Sequence, residues 1–416
     1  AVTQTLNFGQ KPFKNTPSQG FLPLNSATVR PETVISRPDQ YVGVTTYSGN
    51  SSSSNFITDL NFNSKPDFVW IKTRSGSSSP GTQNHYLVDS VRGANGSVTK
   101  KLYSNSTGEE NAGQTNAENG VRFVHNGFEL TSSNAGTNAN NIYVAWAWKA
   151  GGSKNTFNVD DVGYASASAA GLTGGDITPS GASVGTKQGF SIIKYAGTDN
   201  ASAKTIPHGL LQKPDFMIVK QLTDSSTAWT IYHSSLGATK YLEFDTGAVG
   251  TATGPWNDTE PTSSLFTVGS SYNNTNRVSR NFVSYHWHNV PGLQKFGTYV
   301  GNGNADGPFV ELGFRPAVVL RKSTGGGSGY DWVIIDSVRD PNNIANSKLY
   351  PQSTGAENVN SDNSDSGNNS AIDILSNGFK VRASNGRVNA NGTTFIYAAW
   401  AEAPAFNLFG GQSNAR

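Results

Sequence analysis

Hydrophobic and polar residues alternate along short segments throughout the chain. In FSIIKY, residues 190–195, one face of an extended strand would carry Phe, Ile and Lys and the other Ser, Ile and Tyr. Such segments are four to seven residues long, rich in Val, Ile, Tyr, Phe and Trp, and broken by Asn-Gly, Ser-Gly or Gly-Gly. This period of two predicts half-buried β-strands joined by tight turns.

One of these strands occurs three times. The strings are KPDFVWIK at 65–72, KPDFMIVK at 213–220 and RPAVVLRK at 315–322. The residue before a proline is restricted to extended conformations, so Lys-Pro or Arg-Pro marks the entry to a strand in each copy. Recurrence of this kind is a stronger guide to architecture than any local motif.

The surroundings of the three strings recur in the same order. Each copy opens with a tyrosine string (TTYSG, IKYAG or GTYVG) and closes with an aromatic strand (NIYVAWAW, NFVSYHWH or TFIYAAWAE). From opening tyrosine to closing tryptophan a copy spans about 100 residues, which is the size of one small domain. The chain is therefore predicted to contain three copies of one domain.

The predicted fold is all-β, with three tandem β-sandwich-like repeat domains and an extended N-terminal arm. Copies two and three meet across the short NVPGLQ, which predicts a fixed angle between them. The predicted divisions are an N-terminal arm at 1–40, repeat 1 at 41–150, a Gly/Ser/Ala-rich linker or extended arm at 151–188, repeat 2 at 189–290, repeat 3 at 295–406 and a tail at 407–416.

Composition and charge exclude several classes of function. The 416 residues are 35% hydrophobic and 14% charged, with a net charge of +2, and the Lys and Arg residues form no cluster. A nucleic-acid partner would need a basic patch, and membrane insertion by a helix would need about 20 apolar residues in succession, so neither is predicted. The chain has no cysteine and starts at Ala1, and we expect it to be a processed or excerpted piece.

Two histidines are the candidate metal ligands. His286 and His288 stand two residues apart, on one face of the closing strand of repeat 2. That spacing could place two imidazoles on one metal ion, but the other two copies have no histidine there. A surface or interface pair is the alternative, and no cofactor or metal is predicted.

The acidic residues predict no catalysis. DSVR occurs at 89–92 and 336–339, and its adjacent Asp and Ser cannot act as base and nucleophile, because neighbouring strand residues point to opposite faces. A turn or an ion pair between Asp and Arg is expected instead. Glu110 and Glu357 occupy matching places in two copies, but paired catalytic carboxylates need a defined separation across a cleft. The acidic SDNSDSGNNS at 361–370 lacks the ligand order of a calcium loop, so we expect a solvated hairpin tip.

One tryptophan lies outside the predicted strands and is the candidate for binding. Trp256, in GPWNDTEP, is followed by Asn257 and Asp258. The indole could stack on a sugar ring or fit into a partner, or it could plug the loop against the domain. The tryptophans within predicted strands are expected to be core residues.

A resemblance to known proteins rests on NFGQKPF and GFLPLN near the N-terminus and on PDFVWIK, LVDSVRG, NGF and YVAWAW in the repeats. The first two resemble the end of SPRY-type domains of bacteriophage structural proteins, especially those of marine and cyanobacterial phages. The others resemble the repeated β module that follows such domains. The body of the SPRY-like domain is missing from this chain.

The resemblance implies a non-catalytic virion structural protein: a tail fibre, a capsid fibre or a decoration protein that serves assembly and host attachment. It implies a location in the extracellular particle. The expected partners are other virion proteins, further copies of the chain, plausibly in a trimer, and a host-surface glycan. The alternatives are a secreted lectin-like glycan-binding protein and a polysaccharide depolymerase that would use Glu110 or Glu357.

Overall fold

The regular secondary structure of the described residues is almost entirely β-strand, as the sequence predicts. The computed structural model describes residues 34–76, 83–93, 100–110, 120–198, 202–244, 249–270, 273–325, 331–357 and 370–405. Within them the helical elements are a 3₁₀ turn at Pro38–Gln40 and a four-residue α-helix at Gly386–Asn389. The strands pair into separate sheets and form a sandwich-like fold.

Repeat 1 contains a five-stranded sheet in the order β1-β8-β3-β4-β5 and a three-stranded sheet in the order β2-β7-β6. All its strand pairs are antiparallel. Its strands are β1 Val42–Ser48, β2 Asn55–Ile57, β3 Phe68–Gly76, β4 Tyr86–Asp89, β5 Leu102–Tyr103, β6 Val121–Val124, β7 Gly127–Leu130 and β8 Asn141–Trp148.

The segment predicted as a linker at 151–188 contains three short strands: β9 Phe157–Val159, β10 Val162–Tyr164 and β11 Gly181–Gly185. β11 pairs antiparallel with the first strand of repeat 2 and parallel with β9. The segment therefore extends the sheet of repeat 2 to nine strands. The turn-rich composition of the segment did not predict these strands, because their pairing partner lies in the neighbouring domain.

Repeat 2 adds six strands to that nine-stranded sheet, in the order β12-β19-β14-β15-β16-β17, and packs β13 and β18 against it. The strands are β12 Phe190–Ala196, β13 Lys204–Pro207, β14 Phe216–Gln221, β15 Thr230–His233, β16 Lys240–Glu243, β17 Gly250–Thr251, β18 Leu265–Val268 and β19 Asn281–Trp287.

Repeat 3 has a four-stranded sheet, β20-β26-β22-β23, and a three-stranded sheet, β21-β25-β24. The helix at Gly386–Asn389, α1, precedes its closing strand and is capped by the side chain of Asn385. The strands are β20 Gln294–Val300, β21 Phe309–Glu311, β22 Phe314–Ser323, β23 Val333–Asp336, β24 Ile372–Leu375, β25 Gly378–Val381 and β26 Thr394–Pro404.

The opening tyrosine has the same role in every repeat. Its ring stacks on an aromatic residue of the closing strand, and its hydroxyl donates to a main-chain carbonyl at 2.7 Å. The donor and acceptor pairs are Tyr47 with Thr137, Tyr195 with Thr275 and Tyr299 with Val388. A glycine two residues on is required by close packing, since a Cβ on Gly49 would lie 1.8 Å from the carbonyl oxygen of Ala139.

The larger sheets are buried on both faces, which differs from the predicted half-buried strands. One face of each packs against the smaller sheet of its own repeat, and the other packs against the other two repeats. Along β19, for example, Phe282 points into repeat 2 while Val283 and Tyr285 point away from it, into a second core. This second core, the central core, contains residues of all three repeats.

Three tryptophans meet in the central core, one from the closing strand of each repeat. The ring centroids of Trp148 and Trp400 lie 5.3 Å apart, those of Trp287 and Trp400 6.0 Å, and those of Trp148 and Trp287 6.5 Å. All three contacts are edge-to-face, the arrangement that aromatic quadrupoles favour. The repeats therefore surround a common centre in an approximately threefold arrangement.

The N-terminal arm contributes to the same core. The main-chain amides of Val34 and Ile35 donate to the carbonyl of Pro291, between repeats 2 and 3. Ile35 is 2% exposed and belongs to the central core, whereas Val34 is 45% exposed. The described part of the arm, 34–40, is thus anchored by these two hydrogen bonds and by the buried side chains of Ile35 and Pro38.

Candidate functional site

The binding candidate Trp256 is buried inside repeat 2. Its side chain is 1% exposed and makes an edge-to-face contact with Tyr232, with the centroids 5.9 Å apart. The indole is therefore not accessible to a sugar, and it acts as the loop plug that was the alternative interpretation. Asn257 and Asp258 are exposed, both with positive φ, and Asp258 accepts a hydrogen bond from Thr253. Binding by these two residues stays a prediction.

The candidate metal ligands His286 and His288 are also buried, at 0% and 3% exposure. The Nε2 atom of His286 is 2.8 Å from Ser284 Oγ, and the Nδ1 atom of His288 is 2.8 Å from the carbonyl oxygen of Asn289. Burial lowers the pKa of both imidazoles, and a neighbouring His208 lowers that of His286 further. Among the described residues, no group of three His, Asp or Glu side chains is arranged to hold a metal ion.

The first DSVR motif forms a buried ion network, which confirms the predicted ion pair. Arg92 Nε donates to Asp89 Oδ2 at 2.5 Å, and both side chains are fully buried. Glu110 accepts from Arg92 at 3.3 Å and from Lys100 at 2.9 Å. Burial opposes the charge of Arg92, but attraction to Asp89, Tyr285 and Glu110 raises its pKa.

The second DSVR motif repeats this network in repeat 3. Arg339 donates to Asp336 at 2.5 Å and to Glu357 at 3.1 Å. Glu357 also accepts two hydrogen bonds from Arg74 of repeat 1, at 2.7 and 2.8 Å. Burial opposes ionisation of Glu357, but the two arginines outweigh it and hold its pKa below the usual value.

The aspartates of these networks each accept a hydrogen bond from another repeat. The Tyr285 hydroxyl, in repeat 2, donates to Asp89 Oδ2 at 2.7 Å. The Trp146 indole, in repeat 1, donates to Asp336 Oδ2 at 3.0 Å, and the guanidinium of Arg339 lies 5.5 Å from the same ring. Trp146 and Tyr285 are equivalent, because each stands two residues before the tryptophan that its closing strand contributes to the central core.

Repeat 2 has His233 and Leu236 where the others have Asp and Arg. His233 Nδ1 accepts from the amide of Ser235, so Nε2 carries the proton and donates to the carbonyl of Tyr397 in repeat 3 at 3.1 Å. Burial lowers the pKa of His233 to about 4, which keeps the ring neutral. The contacts therefore run from repeat 1 to 2, from 2 to 3 and from 3 to 1, and the ring of repeats is closed.

Buried lysines connect the repeats a second time. Lys72, at the end of the first KPDF string, donates to the carbonyls of Gln83 and of Thr354 in repeat 3, at 2.8 and 2.9 Å. Lys220, its equivalent in repeat 2, donates to the carbonyl of Thr107 in repeat 1 at 3.0 Å. Burial lowers the pKa of Lys72 to about 7. In repeats 1 and 2 the repeated lysine therefore belongs to the junctions and not to a surface site.

Sequence reasoning missed one group of polar residues, beside the end of β8. Lys149 is 4% exposed and donates to Asp67 Oδ2 and Asp161 Oδ1, at 2.8 Å each. Asp67 is 82 residues from Lys149 in the sequence, and only the "KPD" of the first string, which places Asp67 at a strand entry, gave any signal. A cavity of about 420 Å³ opens next to Lys149.

The remaining candidate positions lie at the limit of what the structure describes. Residues 361–369, most of the acidic segment considered as a calcium loop, lie outside the described residues.

In the described part of the chain, no helix is long and apolar enough to cross a membrane.

No curated protein and no solved structure matches the chain. One family model, described as a domain of unknown function (DUF7483), matches residues 37–404, a range that contains the strands of all three repeats and of the segment between the first two. The chain belongs to that family, DUF7483.

Proposed function

We propose that the chain is a non-catalytic structural component of a bacteriophage virion, a tail fibre, capsid fibre or decoration protein, that presents surfaces for assembly and host attachment. The observation that carries the proposal is where the recurrent strings lie. The KPDF strand, the DSVR corner and the closing aromatic strand all contribute side chains to the central core or the junctions. Repetition thus serves to build one rigid body, which suits a structural part of a particle.

The carboxylates considered for a depolymerase do not favour catalysis. Glu357 is bound by Arg74 and Arg339, and its pKa is lowered. A general acid for glycoside hydrolysis needs the opposite, a raised pKa that keeps the carboxyl protonated near neutral pH. Glu110 likewise pairs with Arg92 and Lys100.

The internal arrangement bears on the proposed trimer. Three repeats already make the closed set of contacts that three subunits would otherwise make. A threefold body within one chain can serve as a fibre or decoration unit without further copies, and a homotrimer would have to use other surfaces. Light scattering coupled to gel filtration distinguishes a single 44.1 kDa chain from three.

Immunogold labelling of purified phage particles with an antibody to this chain tests the proposal. Label at fibre tips supports host attachment, and label spread over the shell supports a decoration or capsid-fibre protein. Antibody pre-adsorbed with the purified chain provides the control for specificity. If the lysate contains the protein but the particles purified from it bear no label, the virion assignment is refuted.

A further inference from the structure

The cavity beside β8 lies where repeat 1 meets the first strands of the nine-stranded sheet. Its walls come from the arm, from the segment between β2 and β3, from the end of β8 and from the turns next to β10 and β12. Among its lining residues are Tyr41, Asn63, Lys149, Asp161 and Lys187. A volume of about 420 Å³ is within the range of small-molecule sites.

Buried charges hold Lys149, one of the lining residues of the cavity, in place. Asp67 is fully buried and accepts hydrogen bonds from Lys149 Nζ and from the amides of Ala150 and Gly152, at 2.8 to 3.1 Å. Lys149 Nζ also donates to Asp161 and to the carbonyl of Ala150. These three acceptors take the three protons of Lys149 Nζ, so the network fixes the carboxylate of Asp161, a lining residue that can accept a hydrogen bond from a ligand without first being ordered.

The walls combine an aromatic ring with polar groups. Tyr41 is half-buried and packs against the central core, which holds its ring in place. The side chains of Asn63 and Lys187 are exposed and make no hydrogen bond to another described residue. The lining therefore combines the partly exposed Tyr41 with polar side chains that have hydrogen-bonding capacity to spare.

The charges of the lining select the class of ligand. The lining contains two lysines, Lys149 and Lys187, and two aspartates, Asp160 and Asp161, so it has no net charge. A strongly anionic or cationic ligand would meet an opposing charge as well as a favourable one. A neutral pyranose instead has an apolar ring face for Tyr41 and hydroxyl groups that both donate and accept.

We propose that this cavity binds one neutral hexopyranose residue of a glycan. The inference deepens the proposed attachment function. Only the identification of the glycan as a host glycan rests on that function. A single sugar residue has few atoms, so we expect a dissociation constant of about 1 mM for the free glycoside. Attachment to a glycan-coated host would then depend on many copies acting together.

The test measures binding of methyl glucosides, galactosides and mannosides to the full chain. Saturation-transfer NMR and calorimetry are run up to about 20 mM, roughly twentyfold above the expected dissociation constant. The site variant combines Asn63→Ala with Lys187→Ala, both at exposed positions. The matched control combines Asn391→Ala with Lys240→Ala, which are exposed and do not line the cavity.

We expect at least one glycoside to bind, the site variant to bind it roughly tenfold more weakly, and the control to bind as the unaltered chain does. Tyr41→Phe should keep the affinity, because the ring is retained. No binding of any glycoside, or equal loss in both variants, would overturn the proposal. Because the assay uses purified chain, it separates this outcome from failure of the virion assignment, which only particle labelling can show.

Discussion

The hydrogen bond between Tyr285 and Asp89 should be a measurable part of what holds the repeats together. Tyr285→Phe removes only the hydroxyl, which also accepts a hydrogen bond from Arg92 Nη2 at 3.3 Å, and the ring remains in the central core. Asp89 Oδ2 then keeps Arg92 as its one remaining partner, while Asp89 Oδ1 keeps the amides of Val91 and Arg92. A hydrogen bond to a charged group contributes about 1.5–3 kcal/mol, so the free energy of unfolding should fall by about 2 kcal/mol.

A tyrosine in the same repeat provides the matched control. Tyr195 is equally buried, and its hydroxyl also donates at 2.7 Å, but to the neutral carbonyl of Thr275 within repeat 2. Tyr195→Phe should therefore cost about 1 kcal/mol. The assay is urea unfolding followed by tryptophan fluorescence and by circular dichroism, with coincident transitions expected because the repeats share a core.

Two results would refute this reasoning. If Tyr285→Phe cost no more than Tyr195→Phe, the charged acceptor would add nothing at the junction. If the two probes reported separate transitions, the repeats would unfold independently and the central core would not couple them. A cycle of Tyr285→Phe with Asp89→Asn measures the coupling between the two residues, including the part that passes through Arg92, which donates to both. A coupling energy near zero would count against an interaction at this junction.

Three further predictions test the lysine, the ion pair and the arm. Because burial lowers the pKa of Lys72 from 10.5 to about 7, the unfolded chain binds more protons between these values, so this group makes stability rise with pH there, by at most about 1.4 kcal/mol per pH unit. In pH-dependent urea unfolding, Lys72→Met should flatten that rise, and an unchanged slope would contradict the assignment. Arg74→Leu introduces the residue that repeat 2 has at the equivalent position. It should lower the free energy of unfolding by only about 1 kcal/mol, because Glu357 keeps its ion pair with Arg339. A loss above about 3 kcal/mol would show that Glu357 had become an unpaired buried charge. In the arm, Ile35→Ala should cost about 2–4 kcal/mol and the exposed Val34→Ala less than about 0.5, and equal costs would mean that the arm is not anchored in the core.

Strand positions were the most predictable part of the structure, because they depend on local pattern. Three predicted segments form strands in every repeat: the opening tyrosine string, the string that begins with Lys-Pro or Arg-Pro, and the closing aromatic string. The Asp–Arg ion pairs were also predictable, because both partners lie within four residues of each other. In each case the residues that decide the structure are close together in the sequence.

Burial on both faces was not predicted, although the sequence contained a signal for it. In KPDFVWIK the run Phe-Val-Trp-Ile is continuously apolar, and continuous runs of this kind are typical of strands covered on both faces. A single repeat cannot show what covers the second face, because the cover is another repeat. The cavity beside Lys149 was missed for a related reason, because its lining joins residues that are distant in the sequence. For Trp256 the sequence left two interpretations open, and the structure shows the loop plug.

The three junctions share a geometry but differ in chemistry, and this difference fixes the order of the repeats. Asp89 faces the hydroxyl of Tyr285, and the equivalent aspartate of repeat 3 faces the indole of Trp146. At the third junction the donor position is Ala398, which has no polar atom, and there the aspartate is replaced by His233, a neutral donor that uses a carbonyl instead. An aspartate in place of His233 would have no donor at Ala398 and would face the carbonyl of Tyr397. This would lower the free energy of unfolding by about 1–3 kcal/mol or more. Each repeat is thus matched to one neighbour, so the chain behaves as one body of three distinct parts and not as interchangeable modules.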